Sequence, residues 1–393
     1  MERYGRMVRV FKNDKGVMKR ITMFGMMYGQ HISNFAHSLK IHADYQLYGV
    51  NKEPKYVLGE EYRKQAQLAF DEIYELPQSR IKFIDYIIRS IWACFAIVKY
   101  AKRSEIVQFH AITPFVLLLV TLVKVFSKAK ISSFVYGSDF LRANIIGMWC
   151  LGRVFSMSDS IVCDSSTLYK ELKKGFPQYD SKISCCLFGS SIIDKLLKIS
   201  DNRSISSIDK IGGEKKVIMC GYNGLRQQQH LEVIESLKSI AKDFYWIFPM
   251  TYYNTDLKYK QDVINRLDDL GVDYVILDRF LTEDEWSDYL LSADIFIHMQ
   301  VSDAFSSSIS EHLLLGHILI NGSWLRYEDL DDNGIYYISS DFDHLQENLI
   351  DVLNNYESLE EDLKANKDKV IKLKSLDYCI QNNWIPYFNN LLK

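Results

Sequence analysis

The sequence predicts an α/β protein built from two Rossmann-like domains facing across a cleft. Three observations predict it. Short apolar strands alternate with helical segments from residue 20 to residue 189, as a parallel sheet requires. The alternation resumes at Lys216 and runs to Ile338. Between them, Leu197 to Glu214 is dominated by Ser, Asp, Asn, Lys and Gly and carries no strand signal, which marks a linker. The expected division is a first domain over 18–196, a linker over 197–214 and a second domain over 215–376. In such sheets ligands bind outside the carboxyl ends of the strands, so the loops that follow strands are where function is sought.

Bulk properties exclude several classes. The 393 residues suffice for two domains, and 48% hydrophobic with 25% charged residues describes an ordinary soluble globular chain. A net charge of -3 gives no overall basic field, so no nucleic-acid partner is expected. The seven cysteines lack any C-x-x-C spacing, which argues against a zinc site or a disulfide framework and fits a reducing cytosol. The adjacent Cys185 and Cys186 read as buried small hydrophobes. Residues 1–17 carry Arg3, Arg6, Arg9, Lys12 and Lys15 with no long apolar core, so they read as a flexible extension or an extra edge strand rather than a secretory signal. The longest apolar run, Thr113 to Phe126, suits a buried core helix better than a membrane span.

Each element of the first half follows in order. Arg20–Phe24 is a strand, Gly25 to Gln30 a glycine-bearing turn and His31–Lys40 a helix. Gly25 lets backbone approach a ligand, or simply serves the turn. Tyr45–Val50 is a strand, and Lys55–Phe70 includes a helix. Ile84–Ala101 is apolar, with Tyr86, Trp92, Phe95 and Tyr100, and Arg89, Lys99, Lys102 and Arg103 lie in or beside it. Such a segment either packs on a sheet or lies on a lipid surface, so peripheral membrane contact through 84–103 is an expectation. The strand Ile106–His110 ends in a histidine that either contacts a ligand or caps the next helix. The strand Ile131–Tyr136 leads to Gly137-Ser138-Asp139-Phe140, where Asp139 either touches a ligand hydroxyl or caps a helix. A strand within Ser158–Ser165, a helix Ser166–Lys174 and a strand Ser184–Phe188 before Gly189 complete this half.

The second half opens with the strand Lys216–Cys220 and a loop from Gly221 to Glu232. Phe244–Pro249 and Val275–Leu277 are strands, with a charged helix Tyr259–Leu270 between them. Thr282-x-x-Glu285 is a capping box opening a helix. Ile295–Met299 is a strand and Asp303–Phe305 a loop. Ser306, Ser307 and Ser308 open a helix whose free N–H groups and positive dipole end make a ready anion site. Glu311 lies one turn inside, Gly316 ends the helix, and His317–Asn321 is the next strand. Ser323–Tyr327 reads as a binding loop and Ile335–Ile338 as the last strand. Asp341-Phe342-Asp343 directly precedes a helix, so capping explains it and no metal site is expected. Glu357–Leu373 is a surface helix, and Asp377–Leu392 an amphipathic terminal one.

The pair Asp303-x7-Glu311, the turn Ala304-Phe305-Ser306 and the helix end Leu313-Leu314-Leu315-Gly316 resemble the signature of GT-B glycosyltransferases in the family-4-like retaining group. The first acid is Asp here, not the usual Glu. The resemblance implies that Asp303 touches the donor sugar, that Glu311 holds the ribose, and that Phe305, Ser306, Ser307 and Ser308 face the diphosphate. It also implies that His110 lies beside the sugar, that Asp139 belongs to a His-Gly-Ser-Asp-like segment with Tyr136 in place of histidine, and that the terminal helix, 377–393, crosses back to the first domain. The loop after Cys220 departs from this group, holding Tyr222 and Gln228 where the group carries arginine and lysine. With Gly221, Gly224, His230 and Glu232 at matching spacing it more closely resembles bacterial Fuc4NAc transferases; Asn223 is a further expected donor contact, and Arg226, the loop's only cation, is the candidate for the diphosphate or an exposed loop arginine.

The implied function is transfer of a sugar from a nucleotide-sugar donor to a glycan or polyprenyl-diphosphate-linked acceptor in bacterial capsule or O-antigen synthesis. Retention of configuration is expected, with no metal or other cofactor, in the cytoplasm or at the inner face of the plasma membrane. The alternatives are an inverting Fuc4NAc-type transferase with His110 or Asp139 as base, a non-catalytic partner subunit of the same fold, and a sugar-nucleotide epimerase.

Overall fold

The structure is a computed structural model that describes residues 18–52, 60–141, 143–202, 211–251, 256–279, 281–303 and 305–393. The expected extension 1–17, the start of the helix expected from Lys55, much of the expected linker (203–210), and Tyr252, Tyr253, Phe280 and Ala304 lie outside the described residues.

The chain divides into two compact units. Unit 1 comprises the residues up to Cys163, Glu171–Ser184 and Ile385–Lys393. Its seven strands are β1 (Lys19–Gly25), β2 (Tyr45–Asn51), β3 (Glu72–Glu75), β4 (Ile106–His110), β5 (Lys130–Phe134), β6 (Ser160–Cys163) and β7 (Ile183–Cys185). They form one sheet in the order β3-β2-β1-β4-β5-β6-β7. The pairing is parallel, with Lys19 opposite Tyr45 and Ile21 opposite Ile106. The central strands are buried on both faces: Ile21, Met23, Val107, Phe109 and Phe134 are fully buried, and so are the polar Thr22, Gln108, Ser132 and Ser133 between them. Of the terminal segment expected here, 377–393, Ile385–Lys393 belongs to this unit and the residues up to Trp384 to the other. Lys19 donates to Asn389 at 2.5 Å, and the hydroxyls of Ser132 and Tyr387 bond at 2.7 Å.

Unit 2 comprises Asp164–Lys170 and Cys185–Trp384. Its strands are β8 (Lys216–Cys220), β9 (Phe244–Pro249), β10 (Asp273–Leu277), β11 (Ile295–His298), β12 (Ile318–Gly322) and β13 (Ile338–Ser340), in the order β10-β9-β8-β11-β12-β13. This sheet is parallel too, and Trp246, Phe248, Phe296, Ile297 and Ile320 fill its core. The capping box is present in full: Thr282 Oγ1 accepts from Glu285 N while the Glu285 carboxylate accepts from Thr282 N.

One strand, β3, was not among the expectations, and several expectations need correction. β3 carries no apolar alternation because it is an edge strand, and the Glu72 and Glu75 carboxylates accept from Tyr100 and Tyr28 instead of packing in the core. The last strand begins at Ile338, since Ile335 and Tyr336 belong to the approach loop, where Tyr336 N donates to Asn366. The helix Ser191–Asn202 runs into the segment expected as linker. The helix Pro114–Phe126 buries only the face of Val116, Leu119, Val120 and Val123, while Leu118, Val125 and Phe126 stay exposed. The terminal helix is interrupted by a π-helical turn over Ile380–Trp384, where the Trp384 indole donates to Leu187 O at 3.0 Å.

Candidate functional site

Each sheet reverses its strand order at one place. In unit 1 this is between β1 and β4, whose carboxyl ends carry Gly25 and His110. In unit 2 it is between β8 and β11, whose carboxyl ends lead into the Gly221 loop and the Asp303 loop. A crevice opens at such switch points because the connections leave in opposite directions. Gly25 and His110 thus fall at one switch point and the Gly221 and Asp303 loops at the other, while Asp139 follows β5, one strand further along.

In unit 2 the two loops are tied into one structure. Gly221 N donates to Ile297 O at 3.1 Å, Val301 N to Gln227 O at 2.9 Å, and the Gln228 amide to Gln300 Oε1 at 2.5 Å. Asp303 is the knot. Its Oδ1 accepts from the Tyr222 hydroxyl at 3.1 Å. Its Oδ2 accepts from the Tyr327 hydroxyl and from Ser306 N, both at 2.8 Å. His298 Nε2 is buried 3.7 Å from Oδ2 without a hydrogen-bond partner, while Nδ1 meets Asn321 Oδ1 at 3.1 Å. Burial lowers the His298 pKa against the opposing pull of Asp303. Burial and then Asp303 raise the Tyr222 and Tyr327 hydroxyls, so both stay protonated and donate.

The helix Ser307–Leu314 starts from this knot, with Ser306 at its N-cap. The Ser306 side chain makes no cap bond and its Oγ is buried without a partner; the Asp303 carboxylate takes the Ser306 amide in its place. The following amides of the first turn have no carbonyl behind them to bond, so they remain available to an anion. Phe305 holds φ at 68°, a left-handed conformation that costs a non-glycine residue about 1–2 kcal/mol. Glu311 is buried, accepts from the Trp286 indole at 3.3 Å, and has its pKa raised by burial.

A cation stands beside this turn. The helix Tyr356–Lys374 packs on Ser307–Leu314, and the ammonium of its last residue, Lys374, lies 4.0 Å from the centre of the Phe305 ring. Burial lowers the Lys374 pKa, and Asp329 and Asp164 pull the other way.

The Gly221 loop is shaped by its own contacts. Gly221 takes φ +66°, and a Cβ there would meet His230 Nε2 at 2.7 Å and Gln228 Oε1 at 2.8 Å. Asn223 is buried and accepts from Leu225 N at 2.9 Å, holding the turn that contains Gly224. Arg226 is exposed, pairs with Asp256 at 2.7 Å and lies over the Tyr259 ring at 4.8 Å. Its charge is therefore partly answered already. His230 is fully buried against Tyr259, its pKa pushed down to about 3 by desolvation, and its Nε2 has no partner.

In unit 1, His110 is 1% exposed. Its Nε2 meets Gln108 Oε1 at 3.2 Å and its Nδ1 the Tyr136 hydroxyl at 3.4 Å. Desolvation, helped by Lys52, drives its pKa down to about 3, so the ring is neutral. Gly25 lies against it: an added Cβ would meet His110 Cβ at 3.0 Å. Asp139 Oδ2 accepts from Ile112 N at 3.0 Å and Tyr136 N at 3.1 Å, joining the loops after β4 and β5, and burial raises its pKa.

Sequence reading missed Lys374, His298, Gln300 and Tyr327 as parts of the site, and treated Tyr222 only as an absent cation. Only Tyr327 carried a signal, as part of the segment read as a binding loop. The Asp341 triplet caps locally, with Asp341 accepting from His344 N at 2.9 Å.

No protein-family model and no curated protein matches the sequence. Solved structures do match. A glycosyltransferase from Rickettsia africae is 14% identical and superposes with a TM-score of 0.68, over 96% of this chain and 100% of that one. Anabaena HepE, solved with UDP and glucose, is 9% identical with a TM-score of 0.60, over 95% and 99%. The lipopolysaccharide outer core galactosyltransferase WaaB in its apo form is 13% identical with a TM-score of 0.58, over 95% and 99%. Two parallel-sheet units with the last segment returning to the first therefore give this chain the fold of the GT-B glycosyltransferases.

Proposed function

We propose that the protein transfers a sugar from a nucleotide-sugar donor to a glycan or polyprenyl-diphosphate-linked acceptor, with unit 2 binding the donor. The observation that carries this is the Asp303 knot at the β8/β11 switch point, which fixes a helix start beside the buried Lys374 ammonium. Loss of a nucleoside diphosphate develops negative charge on the leaving oxygens. Preorganised amides of Ser307 and Ser308 with the Lys374 ammonium would stabilise that charge without metal. Glu311 would accept from the ribose hydroxyls. Asp303 would hold Tyr222 and Tyr327 so that the first sugar contacts are phenolic. Arg226 would reach the diphosphate only on leaving Asp256.

Retention of configuration fits the chemistry of unit 1 better than inversion. An inverting enzyme needs a base for the acceptor hydroxyl, and His110, with a pKa near 3, accepts a proton weakly at neutral pH. Asp139 already accepts from two backbone amides. UDP and UDP-glucose in the HepE structures make a uridine nucleotide the first donor to try. Capsule or O-antigen is the proposed setting. No helix of the described residues is long and apolar enough to cross a membrane.

One observation favours a second reading, a non-catalytic partner subunit: the loop's only cation is engaged by Asp256. A thermal-shift screen with UDP, GDP, dTDP and their sugars, followed by product analysis, separates the two. A nucleotide-selective shift lost in Glu311→Ala, with product formed, supports the transferase. No shift with any of them supports the partner subunit.

A further inference from the structure

A single exposed apolar side chain is ordinary, but one that is built into place calls for a ligand. Just past the carboxyl end of β12, Trp324 is 41% exposed and yet firmly held. Its indole N–H donates to the backbone carbonyl of Gln300 at 2.8 Å. Its ring packs on Phe342, with centroids 5.5 Å apart and planes 35° from parallel. Gly322 does not adopt a left-handed φ, but a Cβ there would meet Cε2 and Cζ2 of the indole at 2.8 Å. The glycine is therefore needed for the ring to lie against the strand end.

The turn that carries the indole is equally fixed. Leu325 N donates to Gly322 O at 2.8 Å, Ser323 N to Ser340 O at 2.7 Å, and the Asn321 amide to Leu325 O at 2.9 Å. A ring ordered in advance loses little rotamer freedom when a ligand covers it. Gln300 joins this ring to the Asp303 knot. Its carbonyl takes the indole, its side-chain amide donates to the Tyr222 hydroxyl at 3.1 Å, and Tyr222 donates to Asp303. Val301, the residue after Gln300, is a second exposed apolar side chain.

The surroundings select the ligand. An indole face favours the apolar C–H face of a pyranose ring, whose hydroxyl rim then needs polar partners. Tyr222 and the exposed Ser323 carry hydroxyls beside this ring. An anion is disfavoured, because Asp341 and Asp343 flank Phe342 in the chain. The features suited to a diphosphate lie on the opposite sheet face. Ile297, Ile320 and Phe342 share one core cluster, whereas Phe296, Leu319, Ile309 and Phe305 share the other, where the helix Ser307–Leu314 and Lys374 stand. With the ribose at Glu311, the nucleoside would occupy that second face, and the indole would be left to the group that the nucleotide carries.

We infer that Trp324 is the platform for the pyranose ring of the donor, packing on its C–H face while Tyr222 meets its hydroxyls. This rests on the proposed binding of a nucleotide sugar by unit 2. The test is calorimetric titration of the full chain with UDP-glucose, UDP-galactose, UDP-N-acetylglucosamine, GDP-mannose and dTDP-glucose, each beside its bare nucleoside diphosphate. Trp324→Leu keeps apolar bulk but removes the aromatic face. It should weaken the best-bound sugar nucleotide roughly tenfold or more and leave the bare diphosphate unchanged. Trp324→Phe should lose less, and Gly322→Ala, which pushes the ring off the strand end, should reproduce the Trp324→Leu pattern. The platform is overturned if Trp324→Leu weakens sugar nucleotide and bare diphosphate equally, as base stacking or a purely structural role requires, or weakens neither. Both of those results leave the transferase reading standing, because wild-type binding is intact. A wild-type chain that binds none of these ligands removes that reading and the platform with it.

Discussion

The Tyr222 hydroxyl donates to one oxygen of Asp303 at 3.1 Å, joining the carboxyl ends of β8 and β11 through a single carboxylate. Three hydrogen bonds converge on that group, so substituting it affects both loops at once. Asp303→Asn keeps the volume but offers an amide nitrogen where one donor now points. The expected cost is about 1–3 kcal/mol of stability, as donors lose a charged acceptor. Transfer activity should fall by roughly a hundredfold or more, because the helix start is no longer fixed. Unfolding with and without UDP, alongside the rate, checks this; an unchanged rate would show that the knot has no part in the reaction.

Lys374 gives a prediction of opposite sign for stability and binding. Desolvation outweighs the pull of Asp329 and Asp164 on this ammonium, so Lys374→Met should leave the melting temperature unchanged or higher. If the ammonium meets a diphosphate, UDP affinity should fall roughly tenfold or more while uridine affinity stays the same. Equal effects on both ligands, or on neither, would remove it from the site.

Gly221→Ala tests the backbone of the phosphate-side loop. The residue sits at φ +66°, and the new methyl would press on His230 Nε2 and Gln228 Oε1. Left-handed strain and displacement of two buried polar groups should cost about 2–4 kcal/mol. Denaturant titration reads the loss. A change within experimental error would mean the loop relaxes freely.

His110 makes a pH prediction. Its folded pKa lies near 3, well below the ordinary histidine value of 6.5. Between those values the unfolded chain binds a proton that the folded one does not, so this group's contribution to stability rises with pH up to about 6.5 and is lost as pH falls towards 3. His110→Gln should flatten that part of the acid-side slope. For the reaction, kcat/KM should show no acid limb near 6.5 attributable to His110. A limb at that pH, abolished in His110→Gln, would restore it as a titrating base and favour inversion.

Much of this protein is written locally. β4, β8 and β9 begin and end where the sequence reading placed them, because strands buried on both faces are mostly hydrophobic. The Thr282 box is a contact over three residues and is legible for the same reason. The edge strand β3 was not legible, since half its surroundings are solvent and its glutamates pair with distant side chains. The sequence by itself determined the two alternating halves and named the donor-loop candidates, while the roles expected of Asp303 and Glu311 came only with the resemblance. Only the tertiary structure decided that Asp303 is an anchor for Tyr222 and Tyr327, that Arg226 is held by Asp256, and that Lys374 stands next to Phe305. The physical reason is range. Periodicity and capping act between residues a few positions apart, whereas a carboxylate's partners are chosen by whichever strands the sheet brings side by side.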